Sequence, residues 1–204
     1  MGRIFYMMGK SASGKDSLFR MLAADQELSL RIVTMYTTRP RRSSEEEGRE
    51  YFFRDESFLL KNRREGKVIE CRTYETVLGP WSYFTLDDGQ IDTDRFSYLM
   101  IGTLESYQNT KQYFEGRGKQ IMVPVYIEVE DGERLLRAVR REMCEEEPHY
   151  AEVCRRFLAD CEDFSEEQLE RLKIDRVFKN QEISICKEEI KSVILEKLAE
   201  DVVY

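Results

Sequence analysis

The sequence contains very little histidine: one residue, His149, among 204. Zinc sites and histidine-based catalytic dyads depend on imidazole, so these kinds of site have almost nothing to build on. The cysteines show no paired spacing and their number is odd, which predicts free thiols in a reducing cytosol. They are Cys71, Cys144, Cys154, Cys161 and Cys186. We therefore expect a cytoplasmic protein with neither a disulfide framework nor a zinc site.

Long apolar runs are also missing. No segment is apolar long enough to span a bilayer, and the run Phe5-Tyr6-Met7-Met8 is too short for a signal peptide. The net charge of −8, from 32 basic and 40 acidic side chains, argues against an extended nucleic-acid surface. Basic residues still cluster locally, at 39–42, 61–64 and 134–141. Such clusters in an acidic chain favour a small anionic ligand, and we expect neither nucleic acid nor membrane as a partner.

A glycine-rich turn follows the first apolar segment. Residues 4–8 are typical of a buried strand, residues 18–24 have the spacing of a helix, and between them lies Gly9-Lys10-Ser11-Ala12-Ser13-Gly14-Lys15-Asp16-Ser17. Strand, glycine-rich turn and helix form the context of a phosphate-binding P-loop. Backbone N–H groups at the helix start favour an anion, and Lys15 adds a point charge for the terminal phosphates. This stretch predicts an ATP site.

The P-loop pattern has one departure. The residue after its lysine is normally Ser or Thr, whose hydroxyl contacts Mg²⁺. Here it is Asp16, and the hydroxyl follows at Ser17. A carboxylate beside a triphosphate repels it unless a cation lies between them. Asp16 is therefore either part of the metal shell, directly or through water, or an acid of the first helical turn that points away.

A second set of anion-binding side chains follows in residues 37–53. This segment holds three arginines close together, then an acid, a glycine and an aromatic residue. Arginine binds phosphate bidentately, a carboxylate accepts hydrogen bonds from the N–H groups of a base, and a tyrosine hydroxyl donates to phosphate. A solvated loop is the simpler interpretation, but these side chains together favour binding of a nucleoside monophosphate.

The pattern resembles the monophosphate-binding signature of guanylate kinases. The matching stretch, which follows a P-loop as in that family, is Thr37-Thr38-Arg39-Pro40-x-Arg42-x-x-Glu45-x-x-Gly48-x-x-Tyr51-Phe52-Phe53. The resemblance implies that Arg39, Arg42 and Tyr51 hold the phosphate of the acceptor and that Glu45 helps to read guanine. The family usually has a serine four places before the first arginine, and Met35 stands there in this chain, so one phosphate contact is lost.

The resemblance continues more loosely beyond this segment. It implies that Glu70, in a short strand over residues 68–71, binds the guanine edge. It also implies that Tyr83 and Thr85 contact phosphate and base, after an extra piece that contains residues 79–81. The family carries aspartates at the end of the strand that we predict at 96–102, and this chain has none there. This departure leaves acceptor specificity and metal handling open.

A helix beginning at residue 131 carries Arg137 and Arg141, which share a face because they are four residues apart. Taken alone, the helix is a charged surface. The resemblance implies a lid in which this pair and a third arginine one helix later, Arg156, close over the transferring phosphoryl group. It also places Asn180, at the end of the last strand, near the adenine of the donor.

These elements predict an α/β P-loop fold: a three-layer sandwich with a parallel five-stranded sheet, a monophosphate-binding insertion and a helical lid. We expect a single guanylate-kinase-like domain over residues 1–204. Its core comprises residues 1–33, 87–130 and 162–204, its monophosphate-binding region residues 34–86, and its lid residues 131–161.

The resemblance implies a kinase that transfers the γ-phosphoryl group of ATP, bound with Mg²⁺, to GMP or dGMP, giving ADP and GDP. The P-loop would hold the donor and the lid would stabilise the moving charge. The implied catalytic residues are Lys15, Arg42, Arg137, Arg141 and Arg156. An acceptor phosphate is already a nucleophile, so no general base is needed. The oligomeric state, monomer or homodimer, and the choice between ribose and deoxyribose stay open.

Other interpretations compete with this one. The chain could phosphorylate a different (deoxy)nucleoside monophosphate, because Met35 and the missing strand-end acids depart from the family. It could be a non-catalytic guanylate-kinase-like binding module, although such modules typically lose the P-loop lysine or glycines and this chain keeps both. A P-loop ATPase or GTPase is a third class, and the sequence offers no acid at a strand end to position Mg²⁺ and water for it.

Overall fold

The first predicted strand lies at the centre of the molecule. The structure is a computed structural model that describes residues 1–42, 45–76 and 79–200. Strand β1 (Ile4–Met8) is fully buried in the middle of a five-stranded sheet. The strand order is β2 (Arg31–Ile32), β7 (Tyr98–Ile101), β1, β8 (Met122–Glu128) and β9 (Val177–Lys179). Every neighbouring pair is parallel, which confirms the predicted sheet.

Helices cover both faces of this sheet. Successive residues of a strand point to opposite faces, so β1 contributes to two separate cores. Phe5 and Met7 pack with α1 (Lys15–Ala23) and α7 (Ile183–Glu200). Ile4, Tyr6 and Met8 pack on the other face with α3 (Leu104–Glu115) and the segment around α6 (Glu166–Arg171). The result is the predicted three-layer sandwich.

A second, four-stranded sheet is built from the region between the first two strands of the core. Its order is β4 (Phe52–Phe53), β3 (Tyr36–Thr37), β6 (Gly79–Leu86) and β5 (Val68–Thr76), and α2 (Glu56–Arg64) packs against it. Two expectations were wrong here: β5 does not end at residue 71, and residues 79–81 are not an extra piece. The reason is a long antiparallel hairpin, in which Tyr74 pairs with Trp81 and Thr76 with Gly79.

Two antiparallel-facing helices, α4 (Asp131–Glu142) and α5 (Tyr150–Asp163), occupy the region expected to form the lid. The domain boundaries themselves remain a prediction, and residues 43–44, 77–78 and 201–204 within them lie outside the described ranges. Among the helices of residues 1–42, 45–76 and 79–200, none combines the length and apolar character that crossing a membrane requires.

Candidate active site

The glycine-rich turn joins β1 to α1, as predicted. Gly14 precedes the helix with φ +84°, a left-handed conformation that glycine adopts without strain. The Asn180 side chain lies where a Cβ on Gly14 would be, and its amide donates to the Ser13 carbonyl at 2.8 Å. A Cβ on Gly9 would lie 2.5 Å from the Ile127 carbonyl oxygen. Both glycines are therefore required by close packing around the turn as well as by its open shape.

Lys15 and Asp16 stand together at the start of α1. The Lys15 ammonium lies 3.8 Å from the Asp16 carboxylate, and the Asp16 side chain is 70% exposed whereas that of Lys15 is 22% exposed. Both residues line the main cleft described below. Asp16 therefore faces the cleft instead of turning away from it, and its carboxylate is open to a cation.

The lid helices are tied to the P-loop by charged groups. The Ser11 amide donates to Asp160 Oδ2 at 2.8 Å. Arg134, which is 1% exposed, donates to the same oxygen at 3.0 Å and to Asp131 Oδ1 at 3.1 Å. Lys10 forms an ion pair with Asp131 at 3.2 Å. Sequence reasoning counted Arg134 only as part of a basic cluster. Its spacing to Asp131 was a usable signal, but nothing in the sequence pointed to Asp160.

Arg39 is held by Glu45 in a bidentate ion pair, with nitrogen–oxygen distances of 2.6 and 3.0 Å. Glu45 also accepts a hydrogen bond from the Arg42 amide at 2.8 Å. The hydrogen bonds from Arg39 hold the pKa of Glu45 below its usual value, so it stays ionised. The expected role of Glu45 was to read guanine, but in this structure both of its oxygens are engaged, and it orients Arg39 instead.

The expected phosphate-binding side chains do not all reach the cleft. Tyr51 and Tyr83 line it, with ring centroids 5.6 Å apart, and burial raises the pKa of Tyr51. Arg39 lies behind these rings, 5% exposed, and hydrogen-bonds Tyr83. Arg42 is exposed, and its guanidinium has no hydrogen bond or ion pair within the described part of the chain. Its expected phosphate contact therefore requires a movement of the loop or of the side chain.

Glu70 and Thr85 are paired across β5 and β6 and are both buried. The Thr85 hydroxyl donates to Glu70 Oε1 at 3.0 Å, and Arg72 donates to Glu70 Oε2 at 3.3 Å. Burial raises the pKa of Glu70. Neither Glu70 nor Thr85 lines the cleft, whereas Arg72 does. The structure thus places the two residues predicted to contact the base behind a third that sequence reasoning did not identify.

The main cleft has a volume of about 860 Å³ and brings three regions together. One wall comes from the P-loop and includes Ser11, Lys15 and Asp16. The second comes from the small sheet, and the third from α5. The lining residues from the last two walls include Tyr51, Arg72, Tyr74, Tyr83, Glu152, Arg155, Asp160 and Asp163. The P-loop and the predicted monophosphate-binding sheet therefore face one shared space.

A second cavity, of about 740 Å³, lies on the other side of the P-loop. Its lining includes Lys10, Asn180 and Arg137. Arg137 donates to Glu133 at 2.9 Å and to the Asn180 carbonyl at 3.4 Å. Asn180 thus borders a space next to the P-loop, where its expected position near the donor base would put it.

The other two lid arginines lie apart from the cleft lining. Arg141 is exposed near the end of α4. The Arg156 Nε is buried and lies 3.4 Å from Glu152 Oε1. Its neighbour Arg155 lines the cleft and binds Glu152 at 2.7 Å. The structure does not bring Arg137, Arg141 and Arg156 to one point, so a shared role over a phosphoryl group remains a prediction that requires lid closure.

The end of β7 shows why no acid stands there. Gly102 lies against Tyr6 and Ser106, whose hydroxyls are 2.6 Å apart. A Cβ on Gly102 would lie 2.5 Å from Ser106 Oγ and even closer to the Tyr6 hydroxyl. Burial raises the pKa of Tyr6, which stays neutral. The space for a strand-end carboxylate is thus filled by two buried hydroxyls.

Comparisons with known proteins support these observations over different lengths. Residues 1–81 match the protein-family model for guanylate kinase. The guanylate kinase of Mycoplasma mobile is 39% identical over 69 residues, 34% of this chain and 34% of that protein. The guanylate kinase of Mycoplasma pneumoniae is 46% identical over 73 residues, 36% of this chain and 30% of that protein. The chain therefore matches the curated relatives over 34% or less of their length in these two comparisons.

The likeness in structure covers more of the chain. A crystal structure of guanylate kinase from Anaplasma phagocytophilum superposes with a TM-score of 0.61, covering 96% of this chain and 86% of that one. The sequence identity in this comparison is 18%, so it shows the fold. The sequence relationship is thus confined to the N-terminal part, which contains the P-loop, the arginine segment and Glu70, whereas the fold extends over nearly the whole chain.

Proposed function

We propose that this chain, whose first 81 residues belong to the guanylate kinase family and whose fold is that of a guanylate kinase, is an ATP-dependent nucleoside monophosphate kinase. It transfers the γ-phosphoryl group of ATP to GMP or dGMP and releases ADP and GDP or dGDP. We place the reaction in the cytoplasm, where ATP is available and the five cysteines, all free, stay reduced.

The observation that carries this proposal is the shared cleft. Lys15 and Ser11 line one side of it, and Tyr51 and Tyr83 line the other. A P-loop alone is common to many ATP-binding proteins. A P-loop that opposes a second set of phosphate-binding side chains is suited to holding two nucleotides with their phosphates adjacent.

The chemistry requires mainly positioning and charge. A phosphate oxygen of the acceptor attacks the γ-phosphorus, and the bond from that phosphorus to the β–γ bridging oxygen breaks, so ADP leaves. P-loop amides and Lys15 hold the donor. Arg39, oriented by Glu45, and Arg42 bind the acceptor phosphate together with Tyr51. Closure of the lid brings Arg137, Arg141 and Arg156 towards the moving charge and excludes water, which would otherwise hydrolyse ATP.

The side chains fit a magnesium ion that is held mainly by the nucleotide. Within the described ranges, no group of three or more His, Cys, Asp or Glu side chains is placed to hold a metal. Asp16 is a single exposed carboxylate on the cleft, next to Lys15. Mg²⁺ is commonly bound by one or two carboxylates and by substrate phosphates. We infer that Asp16 contacts the shell of the ion, which neutralises charge on the β- and γ-phosphates.

The test is a panel of nucleoside monophosphates with ATP and Mg²⁺, monitored for ADP. We expect turnover with GMP or dGMP well above ATP hydrolysis in the absence of acceptor. Turnover with another monophosphate alone would retain the reaction class and overturn the acceptor. ADP release that is independent of acceptor would indicate an ATPase. Nucleotide binding without turnover for any acceptor would indicate a binding module.

A further inference from the structure

The acceptor side of the main cleft presents a guanidinium group. Arg72, in the long strand β5, lines the cleft although its side chain is only 8% exposed. It pairs with Tyr83 across the hairpin and reaches the start of α3, where its Nη1 donates to the Thr103 hydroxyl at 3.1 Å. The group is therefore fixed from both sides of the cleft, by the small sheet and by the core.

The carboxylates expected at this place are not available to a base. Glu70 is fully buried at its side chain and uses one oxygen for Thr85 and the other for Arg72. The end of β7, where an acid was expected, is occupied by Gly102 against the hydroxyls of Tyr6 and Ser106. The group that faces an acceptor base here is thus a hydrogen-bond donor and not an acceptor.

The Arg72 guanidinium retains donors for a ligand. Its partners are Glu70, Thr103 and the Tyr74 hydroxyl. These use three of the five N–H groups that a guanidinium carries. A planar guanidinium held by three partners keeps the orientation of its remaining N–H groups.

We propose that Arg72 is a specificity-determining residue, which reads the oxo group and the adjacent ring nitrogen of a 6-oxopurine acceptor. The inference rests on the proposed function, because it assigns the base of the acceptor in the same cleft. A guanidinium pairs bidentately with O6 and N7 of guanine. Adenine carries an amino group at that position, which sets donor against donor. The 2-amino group of guanine is not read, so hypoxanthine is accepted as guanine is.

The experiment measures equilibrium binding of GMP, IMP and AMP by calorimetry, without ATP. For the wild-type chain we expect GMP and IMP to bind within a few-fold of each other. AMP should bind more weakly, by about tenfold to a hundredfold, the discrimination of one bidentate pair. In Arg72→Gln the ratio between GMP and AMP should fall towards one. Arg63→Gln is the matched control, since Arg63 is an exposed arginine of the same lobe bonded to Cys71, and its ratio should not change.

A change in the ligand tests the proposal without any variant. 7-Deaza-GMP lacks the N7 acceptor, so the wild-type chain should bind it more weakly than GMP. Arg72→Lys, which keeps the charge beside Glu70 but not the fork, should lose most of the preference for GMP over AMP. A residue that only supported the fold would lower affinity for all three monophosphates equally and leave their ratios unchanged.

Wild-type rejection of IMP as strong as that of AMP would overturn the proposal, because it would show that the 2-amino group is read. An unchanged GMP-to-AMP ratio in Arg72→Gln would also overturn it. Binding is measured without the donor, so the outcome is independent of turnover. Preference for 6-oxopurines without turnover would support Arg72 and contradict the kinase, and turnover with an unchanged ratio in the variant would do the reverse.

Discussion

The guanidinium of Arg134 lies 3.0 Å from the carboxylate of Asp160, in an ion pair that joins α4 to α5. The same carboxylate oxygen accepts a hydrogen bond from the Ser11 amide. The base of the helical lid is thus attached directly to the phosphate-binding turn. A buried charge that is bound in this way stabilises the fold mainly through the cost of leaving its partners unpaired.

Replacing Arg134 with methionine should destabilise the protein strongly. Arg134→Met leaves the Asp160 carboxylate, whose side chain is 15% exposed, without its cation, and we expect a loss of about 3 kcal/mol in the free energy of unfolding. Urea denaturation measures it. Arg140→Met, on the exposed face of the same helix, is the control and should change stability by less than about 0.5 kcal/mol. Equal losses in both variants would contradict a special role for the Arg134 pair.

Arg42→Ala should reduce kcat/KM for the monophosphate by about a hundredfold, the loss expected for charge-assisted hydrogen bonds to phosphate. Its melting temperature should be unchanged, because the side chain is exposed. Arg41→Ala is the matched control: its guanidinium donates to the Glu45 carbonyl and is not assigned to the acceptor. Wild-type kinetics in Arg42→Ala would remove Arg42 from the acceptor site.

Lys15→Ala should reduce kcat by about a hundredfold to a thousandfold, because it removes a fixed positive charge from the phosphates. The fold should be intact, as circular dichroism would show, since Lys15 contacts only the exposed Asp16. Arg20→Ala, near the other end of α1 and exposed, should retain full activity. Unchanged single-turnover rates in Lys15→Ala would contradict the assignment of the donor site.

Gly102→Ala should destabilise the protein by about 1–3 kcal/mol through overpacking. The added Cβ would meet the hydroxyls of Tyr6 and Ser106. In a Tyr6→Phe background one of these hydroxyls is absent, so the same substitution should cost measurably less. A thermodynamic cycle of the two single variants and the double variant measures the coupling. Additive effects would show that Tyr6 is not what restricts residue 102.

Asp25 should make stability sensitive to acid. Hydrogen bonds from Lys187 and Lys191 lower the pKa of Asp25 to about 2. A carboxyl group with a lowered folded-state pKa stabilises the fold fully above its unfolded value, near 3.9, and loses that contribution as the pH falls through the folded value. The melting temperature of Asp25→Asn should therefore lie below that of the wild type at pH 6 and approach it between about pH 4 and pH 2.

The control for this effect is Glu27→Gln. Its carboxylate is 74% exposed and binds the same Lys191. Exposed ion pairs contribute little, so its difference from the wild type should be small at every pH. A constant gap between Asp25→Asn and the wild type from pH 6 to pH 2 would contradict the role of Asp25.

Sequence reasoning identified the elements whose signals are local. The glycine turn, Lys15 and the apolar strand before it are consecutive, and the structure has them in the expected strand–turn–helix order. It also found Tyr51 and Tyr83, which do line the cleft. It assigned Glu45 and Glu70 to the base, but their side chains are engaged by Arg39 and Arg72.

The sequence by itself determined the parallel sheet and the P-loop, because strand hydrophobicity and turn geometry depend on residues next to one another. Only the tertiary structure decided which charged groups face the cleft and which neutralise one another behind it. Asp160 reaches Ser11 across 149 residues of chain, and Arg72 reaches Thr103 across 31. Such pairs form because packing brings distant backbone segments within hydrogen-bond distance, and residue spacing carries no record of that approach.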